Sequence, residues 1–232
     1  MKDNLISYDT QFKKVGFFIK TDFFERQFCQ DILYEQDALN KSKSNIVNIN
    51  YKDIKRNYKL LKAYSEINKF LKTSINYDFY LSNLKYITTY QNHPKNDLPY
   101  IPHIDKNRYL KVFVYLHDVD GTDGPLTISE NSDMIKNENR RIDFWKSAEK
   151  NEYQLVFGDK SICTPQIFKA GTIIIIDTNV SHLAGEVKKD RFRKILRFTF
   201  NFLHKNQNSL TFKFNKYKFY GKNLLTDMRI NS

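Results

Sequence analysis

The hydrophobic positions of this chain change period partway along its length. Near the start, Val15-Gly16-Phe17-Phe18-Ile19-Lys20 is a compact apolar run of strand length. Asp22, with Glu25 three residues later, has the pattern of a capping box that opens a helix. Phe24, Phe28 and Ile32 then recur at four-residue spacing and predict one buried stripe. The polar, Asn/Lys-rich stretch from Lys43 to Asn57 reads as a loop with a short strand at Ile46-Val47. A second helix is predicted from Asn57 to about Thr73, with Leu60, Leu61, Tyr64, Ile67 and Leu71 on one side.

After that helix the period falls towards two. Phe79 to Leu81, Leu84 to Tyr90, Tyr109 to Leu116, Gly171 to Asp177 and Lys194 to Leu203 all read as strands. Helices come first, strands dominate the rest, and no regular strand–helix alternation argues for a doubly wound parallel sheet. The expected class is mainly β with N-terminal helices, an antiparallel sandwich or jelly roll with the helices packed on one sheet. A single domain spanning 1–232 is expected: a helical part at about 12–75, a jelly-roll core at about 76–204 and a C-terminal extension at about 205–232. The charged segment from Asn131 to Lys160 is long enough to be an insertion or a lid between strands.

Composition narrows this picture without redirecting it. Hydrophobic residues make up 41% of the 232 positions and include 19 Phe and 15 Tyr, enough to fill a large core. The formal charge of +12 raises the question of nucleic acid, but Lys is spread along the whole chain and marks no patch. Cys29 and Cys163 are too few for a disulfide framework or a structural zinc site. No stretch approaches the length of a membrane span and no apolar leader is visible, so a cytoplasmic setting is expected.

The candidate chemistry lies at strand ends. In extended backbone, positions i and i+2 share a face, so His103 and Asp105 direct an imidazole and a carboxylate to one point. One further histidine would complete a two-His, one-carboxylate face for Fe(II), and His182 emerges just beyond the apolar strand Ile173-Ile174-Ile175-Ile176. In the following strand, Leu196, Phe198 and Phe200 alternate with Arg193, Ile195 and Arg197. If the apolar face meets the helices, both arginines look inward, where they are costly without an anion. A dicarboxylate would supply a bidentate partner. His93, His117 and His204 read as surface or loop histidines, although His117 sits near a strand end. Cys163 and Trp145 carry no specific signal.

His103-Ile104-Asp105, His182 and Arg193 together resemble the signature of Fe(II)- and 2-oxoglutarate-dependent oxygenases. Within that superfamily the chain is most similar to the phytanoyl-CoA dioxygenase family. The similarity extends over Leu110 to Asp120, Asp123-Gly124-Pro125-Leu126, Ala170-Gly171-Thr172, His182 to Gly185 and Asp190-Arg191-Phe192-Arg193, within residues 12–204. The resemblance implies a double-stranded β-helix fold, Fe(II) bound by His103, Asp105 and His182, and 2-oxoglutarate and O2 as co-substrates. It also implies that Arg193 grips the distal carboxylate of 2-oxoglutarate. Asp105 is present where halogenating relatives carry a small residue, which favours hydroxylation.

Two departures stand out. The family's Pro-Gly-Ser-His-like loop is replaced by Thr127 to Asp133, which argues against an acyl-CoA substrate. Ala184 stands where many members have a serine that assists the arginine, so Tyr90 is the candidate for a substitute hydroxyl. The expected substrate is a small molecule, with the basic character and Arg197 pointing to an anionic one. A catalytically silent binding module, and an oxygenase acting on nucleic acid or protein, remain as alternatives.

Overall fold

The computed structural model describes residues 8–40, 45–75, 77–91, 100–146, 156–157 and 163–203, and positions 210, 212–214 and 216–217 near the C-terminus. The helices are α1 (Tyr8–Val15), α2 (Arg26–Leu39), α3 (Tyr51–Arg56), α4 (Tyr58–Ser74) and α5 (Met134–Lys146). The strands are β1 (Phe17–Lys20), β2 (Ile46–Ile49), β3 (Phe79–Tyr90), β4 (His103–Ile104), β5 (Leu110–Tyr115) and β6 (Leu126–Ser129). They continue with β7 (Val156–Phe157), β8 (Cys163–Pro165), β9 (Ile173–Asp177), β10 (His182–Ala184) and β11 (Phe192–Phe202).

Two antiparallel sheets result. One has six strands in the order β1-β9-β5-β11-β3-β2, and the other has five in the order β7-β4-β10-β6-β8. The long β11 is the spine of the larger sheet, pairing with β3 from Phe192–Tyr90 to Phe202–Phe79 and with β5 on its other edge. Alternation decides which side of this spine meets what. Leu196, Phe198 and Phe200 are fully buried in the cluster that joins the sheet to α2 and α4. Each such side chain stabilises the fold by about 1.5–3 kcal/mol, which fixes the strand's facing. Ile195 belongs instead to the inner cluster with Phe113, Tyr115, Ile174 and Ile176, against Leu126 and Ile128 of the smaller sheet. Arg193 and Arg197 therefore face the space between the sheets, as the alternation predicts.

The helical stripes also form, with one difference at the start. α4 is capped by the Asn57 side chain, which accepts from the Leu60 amide, and it buries Leu60, Ala63, Ile67 and Leu71. α2 begins after Glu25 with no side-chain cap, so the predicted capping box at Asp22 does not form. The Phe23 and Phe24 amides donate to the Gly171 carbonyl instead, and Asp22 takes a left-handed turn with φ 52°. The chain is thereby pinned to the β9 entry rather than to its own helix.

The Asn131–Lys160 segment is a helix over Met134–Lys146, while 147–155 and 158–160 lie outside the described residues. His93 and His204 also lie outside them, as does most of the C-terminal extension. No helix among the described residues is long and apolar enough to cross a membrane.

Candidate metal centre

β4 and β10 are hydrogen-bonded neighbours in the smaller sheet, and their register sets His103 directly opposite His182. The two rings lie 4.5 Å apart between centroids, tilted by 48°. Each imidazole is oriented by its own backbone. His103 Nδ1 donates to the Ile101 carbonyl at 2.6 Å and His182 Nδ1 to the Val180 carbonyl at 2.8 Å. Fixing the proton on Nδ1 leaves both Nε2 lone pairs for a metal. They point to Asp105, whose Oδ1 lies 3.8 Å from His103 Nε2 and 3.7 Å from His182 Nε2. The ligand atoms of all three residues lie within 4.8 Å of one another. Metal–ligand bonds of about 2.1 Å at right angles put neighbouring donors about 3 Å apart, so small rotations would close this set on one ion.

Protonation states suit that role. Burial depresses the His182 imidazole to about 3, with the neighbouring His103 adding to the effect, and burial also lowers His103. Both rings are neutral at physiological pH. Burial alone would raise Asp105, but Lys111 and the two imidazoles outweigh it and hold the carboxyl at about 2. Two neutral nitrogens and one anionic oxygen on a single face is a donor set that suits a non-haem ferrous ion.

The ligand-bearing loops are braced from outside the sheets by α5. Arg141 Nε donates to the Asp105 carbonyl at 3.0 Å, and its Nη1 pairs with Glu138 at 2.6 Å. Trp145 Nε1 donates to the Lys106 carbonyl at 2.8 Å. On the second loop, Asn137 Nδ2 donates to the Asn179 carbonyl at 2.9 Å, and Asn179 Nδ2 donates back to the Met134 carbonyl. Arg108, which holds Asp177 at 2.6 Å, connects the two loops to each other. The described part of the predicted lid is thus a brace behind the ligands.

A cavity of about 200 Å³ opens from the candidate ligands along the inner face, lined by His103, Lys111, His182, Arg193, Arg197 and Tyr100 among others. Arg193 is buried, with Nη1 donating to the Gly124 carbonyl and Nη2 lying 3.5 Å from Thr89 Oγ1. Its Nε is buried and, among the described residues, has no hydrogen-bond partner. Gly124 is in the left-handed region at φ 70°, and a Cβ there would meet the Gly185 carbonyl at 2.6 Å. Glycine therefore lets this carbonyl reach the guanidinium.

His103, Asp105 and His182 lie together, and Arg193 and Arg197 line the cavity beside them. Tyr90 is not beside Arg193. It remains 47% exposed, and strand alternation turns Thr89, its neighbour, to the register position of Arg193. Tyr90 instead lines a second cavity of about 260 Å³ that shares Tyr100, Leu183 and Ala184 with the first and also holds Cys163. His117 does not approach the ligands. Its Nε2 accepts from the Lys194 amide at 2.9 Å, in a separate hollow with Asp123 and Arg191. Lys111, Thr89 and Arg141 are site residues that the sequence reading passes over. A lone lysine in the apolar run Leu110 to Leu116 was a legible signal for the first of them.

No protein-family model matches the chain, and no curated protein matches it in sequence. Solved structures do share its fold. The epimerase SnoN, in complex with Fe3+, alpha ketoglutarate and nogalamycin RO, aligns at 12% identity and a TM-score of 0.56, over 83% of this chain and 81% of that one. HygX from Streptomyces hygroscopicus, with nickel and 2-oxoglutarate bound, aligns at 13% identity and 0.56, over 82% and 83%. EvdO2 from Micromonospora carbonacea var. aurantiaca aligns at 15% and 0.56, over 90% and 96%. The fold is therefore one used by iron- and 2-oxoglutarate-dependent enzymes.

Proposed function

We propose that the chain is an Fe(II)- and 2-oxoglutarate-dependent dioxygenase that hydroxylates a C–H bond of a small molecule. The observation that carries this reading is the convergence of His103 Nε2, His182 Nε2 and Asp105 Oδ1 beside the buried, underused guanidinium of Arg193. The two sheets are read as a double-stranded β-helix, with the described chain forming one oxygenase domain of phytanoyl-CoA dioxygenase-like type.

The three donors would hold the ion on one face and leave the opposite positions open. Iron bound there would supply a place for 2-oxoglutarate and O2 to meet, with succinate and CO2 as co-products of substrate oxidation. Arg193 would hold the distal carboxylate of 2-oxoglutarate, with Thr89 supplying the hydroxyl that Ala184 lacks. The apolar side chains of Phe113, Leu126, Leu183 and Ile195 line the cavity and would limit water at the approach. HygX has also been solved with hygromycin B bound, and that likeness supports a small-molecule substrate over a macromolecule.

Anaerobic titration with Fe(II) and 2-oxoglutarate tests this reading through the weak visible charge-transfer band of the ternary complex. The band should form with the native chain and vanish in His182→Ala and Asp105→Ala. A native chain that gives neither band nor succinate would be a silent binding module. Hydroxylation is separated from epimerisation, the reaction that the name of SnoN implies, by a gain of one oxygen atom in the product.

A further inference from the structure

The inner face of the larger sheet carries more positive charge than the proposed metal and co-substrate chemistry uses. Cross-strand register places Lys85 of β3 directly opposite Arg197 of β11, and Asn83 opposite Thr199 one pair further along. On the other edge of β11, Lys111 of β5 stands opposite Thr199. Directly opposed residues share a face, so these five polar side chains form one contiguous patch beside the cavity that Arg197 and Lys111 line.

Polar atoms of this patch are left over. Among the described residues, Arg197 Nε and Thr199 Oγ1, which can both donate, are buried without a hydrogen-bond partner. Each orphaned group is destabilising when nothing meets it. Like charges directly opposite each other, as in Lys85 and Arg197, are also destabilising. The cations of the cavity can then be assigned in turn. Lys111 is held by Asp105, its Nζ lying 2.5 Å from Oδ2. On the reading above, 2-oxoglutarate would meet the metal and place its distal carboxylate on Arg193. Arg197 and Lys85 remain, and among the described residues neither forms an ion pair.

We infer that Arg197, with Lys85 and Thr199, forms a second oxyanion site, which receives a carboxylate or phosphate group of the primary substrate. Arg197 offers a planar set of donors on the cavity wall, with the Thr199 hydroxyl and the Lys85 charge beside it on the same face of the sheet. The substrate is therefore a small anion whose charged end docks on β11 while its remaining carbons extend towards His103 and His182. This inference rests on the oxygenase reading only for the assignment of Arg193 and the metal.

The test uses the full chain loaded with Ni(II) and saturating 2-oxoglutarate, titrated with inorganic phosphate and separately with acetate at constant ionic strength, followed calorimetrically. At least one of the two should bind saturably. Arg197→Gln should weaken that binding at least about tenfold and Thr199→Val by a smaller factor, while Lys72→Gln on the exposed side of α4 leaves it unchanged. A response to phosphate alone assigns a phosphate monoester, and one to acetate alone a carboxylate. The same titrations in Arg193→Gln without 2-oxoglutarate should retain the site and lose it when Arg197→Gln is added. Thermal melting of each variant checks that it is folded. The inference is overturned if neither anion saturates, if Arg197→Gln binds like the native chain, or if Arg197→Gln raises only the 2-oxoglutarate requirement. Failure of Ni(II) and 2-oxoglutarate to bind, with the Arg197-dependent anion response intact, would instead sink the oxygenase reading alone.

Discussion

Lys111 Nζ lies 2.5 Å from Asp105 Oδ2, the carboxylate oxygen that is turned away from the two imidazoles. One oxygen of Asp105 is thus engaged by an ammonium while the other faces the histidines. This division favours ligation through a single oxygen and keeps the carboxylate ionised inside a dry site. Replacing Lys111 with Met should leave Ni(II) binding near pH 8 within several-fold of native. The acid limb of binding should move up by about one pH unit or more, because burial would then raise Asp105 with only the two imidazoles opposing it. Metal affinity measured as a function of pH checks this, and an unmoved acid limb would remove Lys111 from the site's electrostatics.

Arg193→Gln should raise the 2-oxoglutarate concentration needed for half-saturation by about tenfold or more, corresponding to about 1.5–3 kcal/mol for a hydrogen bond to a charged group. Thr89→Val should have a smaller effect in the same direction, and Tyr90→Phe none, since Tyr90 faces the neighbouring cavity. Titrating 2-oxoglutarate into each Ni(II)-loaded variant ranks the three.

The metal-free protein should lose stability as pH falls through the range below 6.5. The His182 imidazole is depressed to about 3 in the folded chain, and His103 is lowered in the same direction. The unfolded chain therefore binds protons first, and stability fully present above the unfolded value drains away towards the folded one. Urea denaturation at a series of pH values should show this loss. Ni(II) should flatten it at the upper end by occupying the same nitrogens.

Arg141→Met should lower the melting temperature and the metal affinity together. The substitution removes the nearer of the two arginines that meet Glu138, leaving Arg108 at 3.5 Å, and frees the Asp105 carbonyl, and losing hydrogen bonds of this charged kind costs about 1.5–3 kcal/mol. A stability loss with metal affinity intact would show that α5 supports the fold without shaping the site.

Much of this architecture was legible in the chain because period-two alternation leaves little freedom. His103 and Asp105 had to share a face, and burying Leu196, Phe198 and Phe200 obliged Arg193 and Arg197 to point the other way. The same rule applied one residue more strictly would have chosen Thr89 over Tyr90. α5 was hidden for a different reason. Its buried positions include Asn137 and Arg141, polar residues satisfied by loop carbonyls, so no apolar stripe announces the helix. The missing cap at Asp22 reflects a long-range contact with Gly171 that local sequence does not encode.

The grip of α5 on main-chain oxygens at Asp105, Lys106 and Asn179 bears on how such a centre persists through divergence. A clasp that recognises carbonyls is indifferent to most side chains of the loops it secures. An exposed position such as Lys106 can drift while the peptide path, and with it the aim of the neighbouring side chains, is inherited intact. Descendants could then become unrecognisable by their letters yet keep the same angles at the ion.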